Sequence, residues 1–112
     1  MAKHPERWAA NAGTRDVARL DIPADAQRER SFEIFCRRVV STGRGDATHG
    51  MRVLVNGALE WTRSMPTHPG GEDSLDLRLR RSVPVGRPLR VVATCELRGA
   101  VRVGLTVSAD EE

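Results

Sequence analysis

The chain has no tyrosine, two tryptophans and two phenylalanines. A core short of aromatic rings must be filled by Val, Leu, Ile and Ala. It has one lysine, Lys3, so its other basic residues are arginines, whose planar forks suit carboxylates and phosphates. It has two cysteines, Cys36 and Cys95. They are not a C-x-x-C pair, and two thiols alone make no zinc site. Each stands in a strand-like run with apolar neighbours at alternate positions, the pattern of a buried, reduced thiol. No stretch approaches the roughly 18 apolar residues of a membrane span. The start, Met1 to Trp8, lacks the apolar run of a signal peptide. The expectations are a cytoplasmic location and no membrane partner.

A chain of 112 residues has room for one domain. Its clearest signal is a period of two. Leu75, Leu77 and Leu79 alternate with Asp76, Arg78 and Arg80. Leu89, Val91, Ala93, Cys95 and Leu97 form a second row, and Val101, Val103, Leu105 and Val107 a third. Such rows belong to antiparallel sheets with one buried and one wet face. Val17 to Ile22 alternates in the same way and stops at Pro23. Val83 to Gly86 and Arg98-Gly99 supply turns.

Asn56-Gly57 is a hairpin turn signal. A plain two-residue turn would split the apolar residues between two faces. A bulge, or one more loop residue, sets Val55 opposite Leu59 and Val53 opposite Trp61, and gathers Met51, Val53, Val55, Leu59 and Trp61 on one face. Residues 24–41 fit two patterns. Phe32, Phe35, Cys36 and Val39 have helical spacing, whereas Phe32, Ile34, Cys36 and Val40 make a strand row that Arg38 interrupts. Aromatic and β-branched residues favour the strand; a helix at 24–41 would make the fold α+β.

The expected architecture is all-β, a small antiparallel β-sandwich. Residues 1–13 form an N-terminal arm (a tail or a short helical turn between Pro5 and Gly13), 14–109 the β-rich domain and 110–112 an acidic tail. Cys36, Trp61 and Cys95 follow the order of the immunoglobulin pattern. Trp61 stands too far beyond Cys36, however, and there is no tyrosine corner. An immunoglobulin-like shape is possible, and no family is recognised.

Three sets of residues invite a function. His49, Met51, Met65 and His68 offer imidazole and thioether groups suited to Cu(I), with His49 facing Met65 across the hairpin. Arg78, Arg80, Arg90 and Arg102 alternate with the apolar rows and suggest a basic sheet face for anions or nucleic acid. That face lacks the aromatic platforms of single-strand binders. Trp8 suits the arm for docking on a partner. No histidine stands in a spacing with a catalytic mechanism behind it. The sequence therefore reads as a non-catalytic structural or protein-interaction module, an assembly or decoration subunit with no cofactor. Its expected partner is another protein or a second copy of itself.

Overall fold

The computed structural model describes residues 4–42 and 45–112. They form eight strands and no helix: β1 (Arg7–Asn11), β2 (Val17–Ile22), β3 (Arg30–Thr42), β4 (Thr48–Val55), β5 (Ala58–Pro66), β6 (Gly71–Val83), β7 (Leu89–Arg98) and β8 (Val101–Glu111). The strand reading of the stretch after residue 30 thus holds, and the helix does not form. In β3, Phe32, Ile34, Cys36 and Val40 all point inward and are buried. A helix would have turned part of this row to water.

The strands make two antiparallel sheets, ordered β1-β8-β3-β6 (sheet A) and β2-β7-β4-β5 (sheet B). All but one of the connections cross between sheets, the β4–β5 hairpin being the exception. This winding is a jelly roll, not the immunoglobulin connectivity. The two sheets meet over Ile22, Phe32, Ile34, Val53, Val91, Leu105 and Val107, all at most 1% exposed. Branched aliphatic side chains thus fill the space that aromatic residues would otherwise take.

Two bulges set the faces. At the hairpin, Asn56 and Gly57 both adopt positive φ (49° and 84°), as a tight two-residue turn requires. Val55 therefore pairs with Ala58, not with Leu59. The register then shifts, so that Leu54 pairs with Leu59 and Val53 with Trp61. Met51, Val53 and Val55 are buried and Trp61 packs half-buried against the core. Leu59 is corrected to an exposed position, 55% accessible, because the bulge falls after it. The second shift lies in β8, where Val39 pairs with Gly104 but Val40 with Arg102. Val101 and Val103 are thereby left exposed, and the apolar row of β8 begins only at Leu105.

Among the described residues, both ends of the domain are built into sheet A. β1 pairs with β8 from Arg7↔Asp110 to Asn11↔Thr106, which replaces the expected helical turn. The acidic end runs on as strand: Asp110 and Glu111 pair with Glu33 and Phe32 of β3. An ion cluster locks this corner. Arg28 donates to both oxygens of Glu111 and to Glu6. Arg30, its side chain only 2% exposed, donates to Glu6 Oε1 (2.9 Å) and to the Pro23 carbonyl (2.8 Å). The Glu6 amide donates to Glu111 Oε1 (2.9 Å).

The Arg28 hydrogen bonds, helped by the Glu6 amide, hold the Glu111 carboxyl down at about 2 from its ordinary value near 4.5. A depressed carboxyl stabilises the fold fully above its unfolded value and ceases to do so as pH falls through its folded value. Glu111→Gln is expected to lose about 2 kcal/mol at pH 7, since bonds to a charged group are worth about 1.5–3 kcal/mol. The gap between the two proteins should close between pH 4.5 and 2. Urea melts across that range check this, and a gap independent of pH would remove Glu111 as its source.

Candidate functional site

A groove of about 1290 Å³ runs along the outer face of sheet B and round the end of the sandwich. Its floor includes Leu54 of β4 with Val92 and Thr94 of β7. Arg19 and Asp21 of β2 and Arg90 of β7 flank this floor. The alternation of β2 requires this arrangement: Ala18, Leu20 and Ile22 fill the core, so Arg19 and Asp21 must face out. The hairpin tip and the β6–β7 connection, Pro84 to Pro88, frame the far end. Asn56 fixes the tip in place. Its Oδ1 accepts from the Arg90 amide (2.8 Å), and its own amide donates to the Arg90 carbonyl (2.8 Å).

The groove is basic. Arg19, Arg81, Arg87 and Arg90 line it against Asp21 and Glu60. Asp21 accepts from Arg90 (2.7 Å) and Arg19 (2.7 Å). These two guanidiniums, Arg90 before Arg19, hold its carboxyl below the usual range. A carboxylate so tied is a poor proton carrier near neutral pH and a good strut for two cations. Glu60, the extra residue of the hairpin bulge, bridges to Arg81 of β6. The Arg87 side chain has no ion pair among the described residues and stands exposed at the rim. Among the described residues no aromatic side chain lines the groove.

The arginines grouped by the sequence are dispersed. Arg78 and Arg80 lie on the outer face of sheet A, where Arg78 bonds Glu33 (3.0 Å) and covers the Phe35 ring (4.4 Å). Arg80 pairs with Glu112. Arg90 alone reaches the groove. The bulge in β8 turns Arg102 towards the sandwich end, where it grips Asp16 with two hydrogen bonds (2.6 and 2.8 Å). A single basic face is therefore corrected to two faces and an end. A linear sequence shows alternation within a strand but not which sheet the strand joins.

Trp8 is built into sheet A. It lies half-buried on β1 opposite buried Ala109, and its indole donates to Glu6 Oε1 (2.9 Å). Of the four soft donors, His49, Met51 and Met65 come together on the inner side of the hairpin, and His68 stands apart. His49 pairs with Met65 in the expected register and Met51 is buried. His68 lies exposed beyond Thr67, its backbone amide donating to Asp73. His49 is itself buried, its Nδ1 bonded to Thr67 Oγ1 (2.7 Å) and its Nε2 without a hydrogen bond. Burial pushes its imidazole towards the neutral form. Among the described residues no group of His, Cys, Asp and Glu is arranged to hold a metal ion. Cys36 and Cys95 are buried free thiols, pushed by burial up to about 12 and about 11, and so unreactive.

Arg19, Asp21 and Asn56 are groove residues that sequence reasoning missed as a site. The charged outer positions of β2 were visible as an alternation. Their meeting with Arg90 depends on β2 lying beside β7, far along the chain.

No family model matches the sequence, and no curated protein matches it. Among solved structures, dimeric latent PorU from Porphyromonas gingivalis overlays 96% of this chain with a TM-score of 0.57 at 13% identity. The chain spans 12% of that PorU chain. The CBM35 of Cellvibrio japonicus Abf62 overlays 83% of this chain and 63% of its own, at TM-score 0.44 and 16% identity. A family 35 carbohydrate binding module from Clostridium thermocellum overlays 84% and 72%, at TM-score 0.43 and 14% identity. At such identities the likeness is one of fold alone, and the fold is a two-sheet antiparallel sandwich.

Proposed function

We propose that this protein is a non-catalytic interaction module that holds an extended acidic segment of a partner protein in the sheet B groove. The observation that carries the reading is the lining itself: four arginines against two carboxylates, over a floor of Leu54 and Val92. Asp21 and Glu60 splint three of these arginines, leaving Arg87 without an ion pair among the described residues. A strand-like acidic peptide supplies carboxylates for the forks and small side chains for the floor. Nucleic acid and neutral sugar fit less well, since both call for exposed rings that the groove lacks.

The test is fluorescence anisotropy with a labelled Asp/Glu-rich peptide, compared with a peptide of the same length in which Lys replaces the acids. Binding should be confined to the acidic peptide and should weaken as salt rises. Arg87→Glu should weaken it by about tenfold, as one favourable charge contact becomes a repulsion. Equal binding of both peptides, or none by about 1 mM, removes the reading. A polyuronate that outcompetes the peptide would move the ligand class from protein to acidic glycan.

A further inference from the structure

The groove takes in only the end of β6, Arg81 to Val83, and leaves the rest of that strand unexplained. β6 is the last strand of sheet A, hydrogen-bonded to β3 on one side from Gly71 to Val83. No strand pairs with its other edge among the described residues. An edge of thirteen residues is a long, open template for another strand. The flank is also partly apolar. Leu77 and Leu79 of β6, with Trp61 and Met65 of β5 in the facing sheet, pack only half-buried against the core.

The charges along β6 have an order. Glu72, Asp73 and Asp76 occupy its first half; Arg78, Arg80 and Arg81 occupy its second. A strand with opposite charges in its two halves complements its own antiparallel copy. Two copies related by a two-fold axis must match inner faces with inner faces, so the axis passes through a residue, not between two. An axis at Leu77 sets Asp76 opposite the partner's Arg78, and Arg78 opposite the partner's Asp76. The same axis sets Leu75 opposite the partner's Leu79, and Asp73 opposite the partner's Arg81. Moving the axis by one residue sets Asp76 or Arg78 against its own copy, and like charges directly opposite are destabilising. One register is selected and its neighbours are rejected.

We infer that β6 is a self-recognition edge, on which two copies pair about Leu77 to join their A sheets into one eight-stranded sheet. The pairing is isologous and uses up the edge, so it closes at two. It also brings the half-buried Leu77 and Leu79 of each copy against those of the other. Asp76 and Arg78 are exposed, and their ion pairs with Arg37 and Glu33 in the single chain are surface pairs that are easily re-shared, while Arg78 also lies over the Phe35 ring. This inference does not rest on the groove.

Sedimentation equilibrium tests it. The full chain should reach a dimer, and Asp76→Arg and Arg78→Asp should each weaken dimerisation by at least about tenfold, because each turns two opposite-charge pairs into like-charge pairs. Circular dichroism checks that both remain folded. Mixing the two single variants should restore association as a heterodimer, since every pair across the axis is then opposite in sign. The double variant D76R/R78D should self-associate again. A wild-type chain still monomeric at about 1 mM overturns the inference. So does a dimer that neither single variant weakens, or weakened variants that mixing fails to restore.

Discussion

Removal of residues 1–13 is expected to cost the protein most of its stability. Those residues carry β1, which pairs with β8 over five residues, and they carry Glu6. Without Glu6, the nearly buried Arg30 guanidinium loses its paired carboxylate and keeps one hydrogen bond, to the Pro23 carbonyl, beside the Phe32 ring. An uncompensated buried charge costs about 3–5 kcal/mol. Loss of Trp8, half-buried against the core, adds about 1–3 kcal/mol of apolar burial. The sum approaches the whole stability of an ordinary domain, about 5–15 kcal/mol. It also leaves β8 as a bare edge prone to aggregation. Far-UV and near-UV circular dichroism of the truncated chain should show lost packing, and Glu6→Ala should reproduce more than half of the loss. A truncated chain that melts within a few degrees of the full one would return residues 1–13 to the status of an appended arm.

Asp16→Ala is expected to destabilise by about 3–5 kcal/mol, whereas Arg38→Met should stay within about 1.5 kcal/mol of the parent. The asymmetry comes from where each charge sits. Arg38 lies on the inner face of β3, between Leu75 and Leu105, with no exposure. It donates to Asp16 Oδ1 (3.0 Å) and to the Arg15 carbonyl (2.9 Å). Asp16 precedes β2 of the other sheet, and its carbonyl accepts from the Cys95 amide (2.7 Å). The pair thus ties sheet A to sheet B. Deleting Asp16 strands a buried cation; replacing Arg38 by methionine removes that cation and leaves Asp16 with Arg102. The double variant D16A/R38M should therefore be more stable than D16A alone. Urea titrations of the three variants check this, and a loss of about 1 kcal/mol or less in D16A would show that water reaches Arg38.

Arg38 also marks a limit of sequence reading. In the chain it interrupts the row Phe32, Ile34, Cys36, Val40, and so weakens the strand pattern. In the fold it belongs to that row, because the carboxylate of Asp16, just before β2 of the other sheet, reaches it from the sandwich end. A buried cation is unreadable from its own strand, since its partner is set by the packing of the sheets. Trp8 fails for a related reason. An isolated tryptophan near a terminus resembles a docking handle, and only the pairing of β1 with β8 shows that it packs against the core. The groove was partly legible: outward arginines follow from inward aliphatic residues. Arg78, Arg80, Arg90 and Arg102 looked equivalent because strand alternation says nothing about which sheet a strand joins.

The sequence by itself determined the all-β class, the strand at 17–22, the alternating rows, the Asn56-Gly57 turn and the Val53↔Trp61 pairing. These depend on side-chain period and turn chemistry over neighbouring residues, which a linear chain displays directly. Only the tertiary structure decided the jelly-roll order, the meeting of Arg19, Asp21 and Arg90, the burial of Arg38 against Asp16, and the incorporation of β1 and of the acidic end of β8. Each of these joins strands distant in the chain. Such contacts are chosen by the burial of whole faces and the compensation of charge across sheets, and no local pattern encodes either.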